Sequence, residues 1–171
     1  MRFLTLSFIA LLFAGCAGYH IGPVRPKFMT GVETIAVPNF KNETLIPRVE
    51  VLMAGAVEQQ IQLDGTYKIA NSDRADAVLE GKIVEIRRNS ARSVHGDVLT
   101  AREYRLTVRI EYKVTKRSTG EQLAHRTVTG DTSFFVDPDL AGDVISDERQ
   151  AIPLATKQAA INLVSQIAEG W

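Results

Sequence analysis

Three histidines, one cysteine and a run of aspartates are the residues of this chain whose chemistry could exceed a structural role. Histidine titrates near neutral pH and ligates metals, a cysteine thiolate is a nucleophile, and spaced aspartates can hold calcium. His20, His95 and His125 fall in three different elements, and none has a second histidine at metal-ligand spacing. Cys16 is the only cysteine, which excludes an internal disulfide. There is no glycine-rich phosphate loop and no nucleophile elbow. Asp137, Asp139, Asp143 and Asp147 resemble a calcium loop superficially, and we read them as helix-capping and solvated loop. The reactive residue types therefore point away from an enzyme, and no metal or cofactor is expected.

What precedes the cysteine gives it a role. Met1-Arg2 leads into the mostly apolar residues 3–14, followed by Gly15, which together make the charged start, apolar middle and small-residue end of a secretory signal peptide. A membrane span needs about 20 apolar residues, more than this stretch supplies. The small pair before Cys16 resembles the lipobox of bacterial lipoproteins, with Phe13 where leucine is usual and Leu12 one place further out. That resemblance implies cleavage after residue 15, a diacylglycerol group on the Cys16 thiol and an N-acyl group on its amine. Two or three acyl chains, at about 0.8 kcal/mol per buried CH₂, anchor almost irreversibly. Ala17 follows rather than an aspartate, so the expected location is the outer membrane, lipid-anchored, on its periplasmic side.

Removing 1–15 takes away only Arg2, which leaves 19 basic against 20 acidic side chains. Such a balance argues against nucleic acid as a partner. Residues 16–30, with Gly18, Gly22, Pro23 and Pro26, read as a lipid-anchored tether, and 31–171 as a single domain.

The elements of that domain follow from periodicity. Residues 32–37 are a β-branched run closed by Pro38, which cannot donate to a ladder. Val49, Leu52, Met53, Ala56, Val57, Gln60 and Ile61 share one helical face, and Asp64-Gly65 is the stop. Residues 67–70 and 75–87 read as extended. Tyr104, Leu106, Val108, Ile110, Tyr112 and Val114 alternate with Glu103, Arg105, Thr107, Arg109, Glu111 and Lys113, so one face is buried and the other is wet. A turn at Ser118-Thr119-Gly120 returns the chain as a strand over 123–136. The last helix carries Ile152, Ala155, Ala159, Ala160, Leu163, Val164 and Ile167 on one face, with Ser146 as N-cap and Gly170 as stop. Pro153 either sits in its first turn or interrupts a longer helix. The order β-α-β-β-β-α gives an α/β fold, an α+β two-layer sandwich: a four-stranded mixed, mainly antiparallel sheet with two amphipathic helices on one face. The uncovered face carries Arg105, Arg109 and Lys113.

These features, taken in order, resemble the LptE family of lipopolysaccharide-assembly lipoproteins. Cys16-Ala17-Gly18-Tyr19-His20 is similar to the family's mature start, with one inserted residue. Ile35-Ala36-Val37-Pro38-Asn39-Phe40 with Asn42 and Thr44, then Ala75-Asp76-Ala77-Val78-Leu79-Glu80-Gly81, resemble its first two strands. Glu103-Tyr104-Arg105-Leu106 and Phe134-Phe135 before Asp137-Pro138 complete the series. The resemblance implies a non-catalytic plug that sits within the β-barrel protein LptD, helps it assemble, and contacts lipopolysaccharide in transit. Residues 35–38 with Phe40 and Asn42 are also similar to the opening of curli-export-type lipoproteins, which leaves a periplasmic adaptor or secretion-pore subunit as the alternative.

Lipopolysaccharide presents phosphate, for which arginine's forked donors are suited. The contact candidates are Arg87, Arg88, Arg92 and His95 toward one hairpin tip, and Lys116 and Arg117 by the next turn. His95 stands nearest to the basic residue that family members are thought to use there. Arg105, Arg109 and Lys113 are the barrel-facing candidates.

Overall fold

A computed structural model describes residues 25–92, 102–136 and 144–170. Cys16, His95, Asp137, Asp139 and Asp143 lie outside these residues. The elements run β1 (Thr34–Ala36), β2 (Lys41–Asn42), α1 (Val49–Asp64), β3 (Lys68–Ile69), β4 (Ala77–Arg92), β5 (Arg102–Lys116), β6 (Gln122–Val136) and α2 (Val144–Glu169). The sheet has six strands and not four, in the order β3-β1-β4-β5-β6 with β2 also on β4. The additions are β2 and β3, each two residues long: β3 lies in the 67–70 segment read as extended, whereas β2 is too short to display the alternation by which a strand is recognised. They pair parallel, as β1 does with β4, while β4, β5 and β6 form the long antiparallel meander expected. The parallel β1 and β3 are joined through α1, the kind of crossover that parallel neighbours require.

Helix α1 buries Val49, Met53, Ala54, Val57 and Ile61, whereas Leu52, expected inward, is 39% exposed. It ends as expected, with Gly65 left-handed at φ 76 and its N–H on the Ile61 carbonyl at 3.0 Å. At its other end Arg48 is the N-cap residue at φ 65, with no side chain capping the helix. Helix α2 begins at Val144, so Ser146 lies inside it and is not its N-cap, and Pro153 sits mid-helix. A helical proline leaves the carbonyl four residues back without a donor, which the packing of this long helix tolerates. Gly170 terminates it at φ 86, donating to the Gln166 carbonyl at 3.2 Å.

One apolar core lies between the helices and the inner sheet face. Leu79, Ile83, Leu106, Val108, Ile110, Tyr112 and Val114 meet Met53, Val57, Ile61, Leu163, Val164 and Ile167. Burying each such aliphatic side chain contributes about 2 kcal/mol. Residues 27–30, read as tether, belong to this body: Lys27–Met29 form a 3₁₀ turn, and Met29 is fully buried. Two buried phenols have hydrogen-bond partners. Tyr67 donates from its hydroxyl to the Ile167 carbonyl at 2.9 Å, and Tyr112 to Gln166 Oε1 at 2.8 Å. Burial pushes both up to about 12.

Two glycines exist for close approach. A Cβ on Gly81 would fall 2.1 Å from the Phe40 ring, and one on Gly130 would fall 2.1 Å from the Ala159 nitrogen. Strand β6 and helix α2 therefore touch backbone to backbone, with Ala155 and Ala159 as the small residues that permit it.

Asp76 ties three parts of the chain into a corner. Its Oδ2 accepts from the Glu33 N–H at 3.0 Å, the Thr34 N–H at 2.9 Å and the Thr34 hydroxyl at 2.8 Å. The Asp76 carbonyl accepts from the Arg117 N–H at 2.8 Å, and Arg117 Nε donates to the Ala75 carbonyl at 2.7 Å. The Thr34 hydroxyl, followed by the Glu33 and Thr34 amides, holds the Asp76 carboxyl below the usual carboxylate range.

Candidate functional site

No helix among the described residues covers the second face of the meander. Its side chains come from the odd positions of β5 and their cross-strand partners, because alternate residues of a strand point to opposite sides. Register sets Glu80 opposite Lys113, Lys82 opposite Glu111 and Glu85 opposite Arg109, then Lys113 opposite His125 and Arg109 opposite Thr129. Opposite charges meet at these three β4–β5 rungs. Lys113 Nζ lies 2.8 Å from Glu80, Lys82 Nζ 2.9 Å from Glu111, and Arg109 2.9 Å from Glu85. His125 Nε2 lies 2.7 Å from the other Glu111 oxygen, Arg87 also binds Glu85, and the Thr107 hydroxyl donates to Asp131 at 2.5 Å. Hydrogen bonds from Lys82 and then His125 hold the Glu111 carboxyl below its ordinary range, and the Glu111 hydrogen bond raises the Lys82 ammonium. Exposed ion pairs of this kind add little stability. Their effect is to fix long side chains in one pattern, which a docking partner then need not order.

Arg105, Arg109 and Lys113 all lie on this open face, each of them exposed. Arg109 and Lys113 are already matched to acids, while Arg105, between Asn89 and Ser133, makes no ion pair among the described residues. The face therefore presents an ordered mosaic of both signs rather than a positive sheet.

The basic candidates are dispersed. Arg87 joins the open face, but its neighbour Arg88 points to the helix side, where it reaches Glu148 of α2 at 2.5 Å and stacks over the Tyr104 ring at 5.6 Å. The backbone of Arg92 is in register with Glu103. Lys116 and Arg117 stand at the far end of β5 beside the Asp76 corner, where the Arg117 guanidinium is committed to a backbone carbonyl. Alternation separates Arg87 from Arg88, which adjacency in sequence conceals. Counted from Asp137, Gly142 is sixth and Glu148 twelfth, the positions a calcium loop prescribes. Ala141, however, stands at the fifth, an oxygen-ligand position, and Glu148 is engaged by Arg88 on a helix. No cluster of metal-ligating side chains occurs among the described residues.

Sequence reasoning missed an apolar groove between the N-terminal parts of the helices, lined by Ile46, Pro47, Leu52, Ile152 and Pro153 with Arg48 and Arg149 at its rim. Exposed Leu45, directly before the lining residues Ile46 and Pro47, was a sequence signal for it.

The whole fold recurs elsewhere. A variant of PelC from Paraburkholderia phytofirmans, crystallised as a dodecamer, is similar at a TM-score of 0.50 and 15% identity, over 87% of this chain and 96% of that one. The hypothetical protein CT253 from Chlamydia trachomatis is similar at 0.54 and 5% identity, over 79% and 95%. Protein XCC0632 from Xanthomonas campestris is similar at 0.52 and 16% identity, over 88% and 91%. At such identities the likeness is one of fold. No curated protein matches the chain by sequence. The family model for LptE, described as lipopolysaccharide-assembly, matches residues 32–167, from two residues before β1 to the last turn of α2. The chain belongs to the LptE lipopolysaccharide-assembly family.

Proposed function

We propose that this protein is a non-catalytic outer-membrane lipoprotein that plugs the LptD β-barrel, helps it assemble, and assists lipopolysaccharide on its way to the cell surface. The observation that carries the reading is a family match over nearly the whole folded domain, on a sheet whose second face is uncovered and laddered with ordered charge. A wide barrel has a polar lumen, and an interior plug must meet it with hydrogen-bonding and charged side chains of both signs. Charge pairs across such an interface fix register and reject wrong partners more than they add affinity. Acyl chains on Cys16 hold the plug at the periplasmic side of the same membrane, which raises its effective concentration near the barrel. Among the described residues no helix is long and apolar enough to cross a membrane, so the lipid would be the attachment that this part of the chain does not provide. Arg87, exposed on the open face toward the β4–β5 hairpin end, is the candidate we assign to lipopolysaccharide phosphate.

Depletion tests the reading. Cells depleted of the protein should lose surface lipopolysaccharide and accumulate misassembled LptD; normal levels of both contradict it.

A further inference from the structure

Strand β6 is fifteen residues long and stands at the end of the sheet order, with β5 as its only strand neighbour among the described residues. Its far side is therefore an edge. Which backbone groups point outward follows from two hydrogen bonds. Asn162 Nδ2 of α2 donates to the Thr129 carbonyl at 2.7 Å from beyond the strand. Independently, the Ile83 carbonyl accepts from the Glu43 N–H at 3.0 Å and so faces β2, which turns its register partner Ile110 toward Val128 and leaves Thr129 facing out. N–H and C=O of one strand residue share a side, and alternate residues take opposite sides. Asp131, Ser133 and Phe135 consequently turn their donors and acceptors outward, without a hydrogen-bond partner among the described residues, beyond the point where Asn162 closes the ladder.

Natural edges are blunted by lysine, proline, bulges or covering elements. Residues 127–136 contain no lysine and no proline, and the β5–β6 register runs unbroken through them. Their one charge, Asp131, is tied to Thr107. Phe135 is 63% exposed beside this edge, and exposed Arg105 lies opposite Ser133, whose small side chain leaves it accessible to a strand added outside.

We propose that the β6 edge from Asp131 to Phe135 is a β-augmentation site, which takes an extended segment of the barrel partner carrying an acidic residue opposite Ser133, within reach of Arg105, and an apolar residue beside Phe135. This inference rests on the barrel partnership proposed above. A closed barrel wall has no free strand edge to offer, so the segment must come from a loop or terminus of the barrel chain that enters the lumen extended. Backbone complementarity supplies the pairing and alternate side chains supply the selectivity.

The test is amide hydrogen exchange on the full lipidated chain, alone and co-purified with LptD, together with Ser133→Pro. That substitution removes an outward N–H and spares the bonds to β5. Protection of the Asp131, Ser133 and Phe135 amides should rise at least tenfold in the complex, and Ser133→Pro should weaken the complex by about tenfold or more with little change in melting temperature. Should Ser133→Pro fail to fold, Ser133→Lys places a cation at the edge beside Arg105 and should weaken the complex in the same sense. An intact complex with unchanged protection at these amides, or undiminished affinity in a folded edge variant, overturns the inference and leaves the partnership standing. A homodimer abolished by Ser133→Pro also overturns it, by assigning the edge to a second copy. Failure of the wild-type chain to bind the barrel overturns both readings.

Discussion

Replacing Gly130 with alanine is expected to destabilise the protein by about 3 kcal/mol, toward the upper end of overpacking costs. The added carbon would lie 2.1 Å from the Ala159 nitrogen, 2.3 Å from the Ala155 carbonyl oxygen and 2.6 Å from the Ala159 Cα. All three are helix backbone, so no rotamer change relieves the clash. Either α2 lifts from the sheet or β6 bends away, and each movement opens the core around Val128, Leu163 and Val164. The urea midpoint reads the loss, with an unchanged slope if the denatured state is unaffected. Gly55 provides the contrast. It lies exposed in α1 with nothing within 4 Å of an added Cβ, so Gly55→Ala should stabilise by about 0.8 kcal/mol through helix propensity alone. Equal effects at the two glycines would contradict the close backbone approach.

Asp76→Ala is expected to cost about 3 kcal/mol, because it removes one carboxylate oxygen that satisfies two backbone amides and a hydroxyl. The strand starts of β1 and β4 lose their mutual clamp, and with it the seat of the β5–β6 turn at Arg117. The effect is pH-dependent with a definite sign. Folding lowers the Asp76 pKa, so its contribution is fully present above the unfolded value, about 3.9, and is lost as pH falls through the lower folded value. Stability should therefore decline on acidification below about pH 4. Much of the carboxylate remains solvated, which keeps this ionic part small beside the loss of the acceptor itself. Asp76→Asn keeps one acceptor oxygen, so it should cost less than alanine and remove this portion of the acid dependence. Chemical denaturation of the three forms at pH 7 and pH 3 separates the two contributions.

How far the sequence disclosed all this depended on the length over which a signal could repeat. Strand β5 announced itself through six apolar residues at alternate positions, and the structure buries most of them while setting Arg105, Arg109 and Lys113 on the opposite face. The stop of α1 at Gly65 and of α2 at Gly170 was legible because glycine tolerates the left-handed conformation each end adopts. Strand β2 was hidden because two residues carry no period, whereas β3 lies within the 67–70 segment read as extended and only its place as a separate strand was missed. Ser146 misled because a good capping residue can also lie within a helix when the chain packs one turn earlier.

The site was harder to read than the fold. Positive residues could be found, but not their partners: Glu80, Glu85 and Glu111 come from two strands, and only register brings them to Lys113, Arg109 and Lys82. Nor could sequence show that Gly130 faces a helix backbone, or that Asp76 reaches across forty-odd residues to Thr34. The free β6 edge is a property of sheet order, which a mixed topology conceals. The ordered motifs behind Cys16 carried the family, since a family resemblance accumulates weak local similarities that individually decide little.

The central claim is that the open, charge-laddered face docks this chain singly into a barrel. Native mass measurement of the detergent-extracted, lipidated protein tests it most directly. The account predicts one copy bound to one LptD barrel. A free monomer, or a ring built only of this chain, contradicts it.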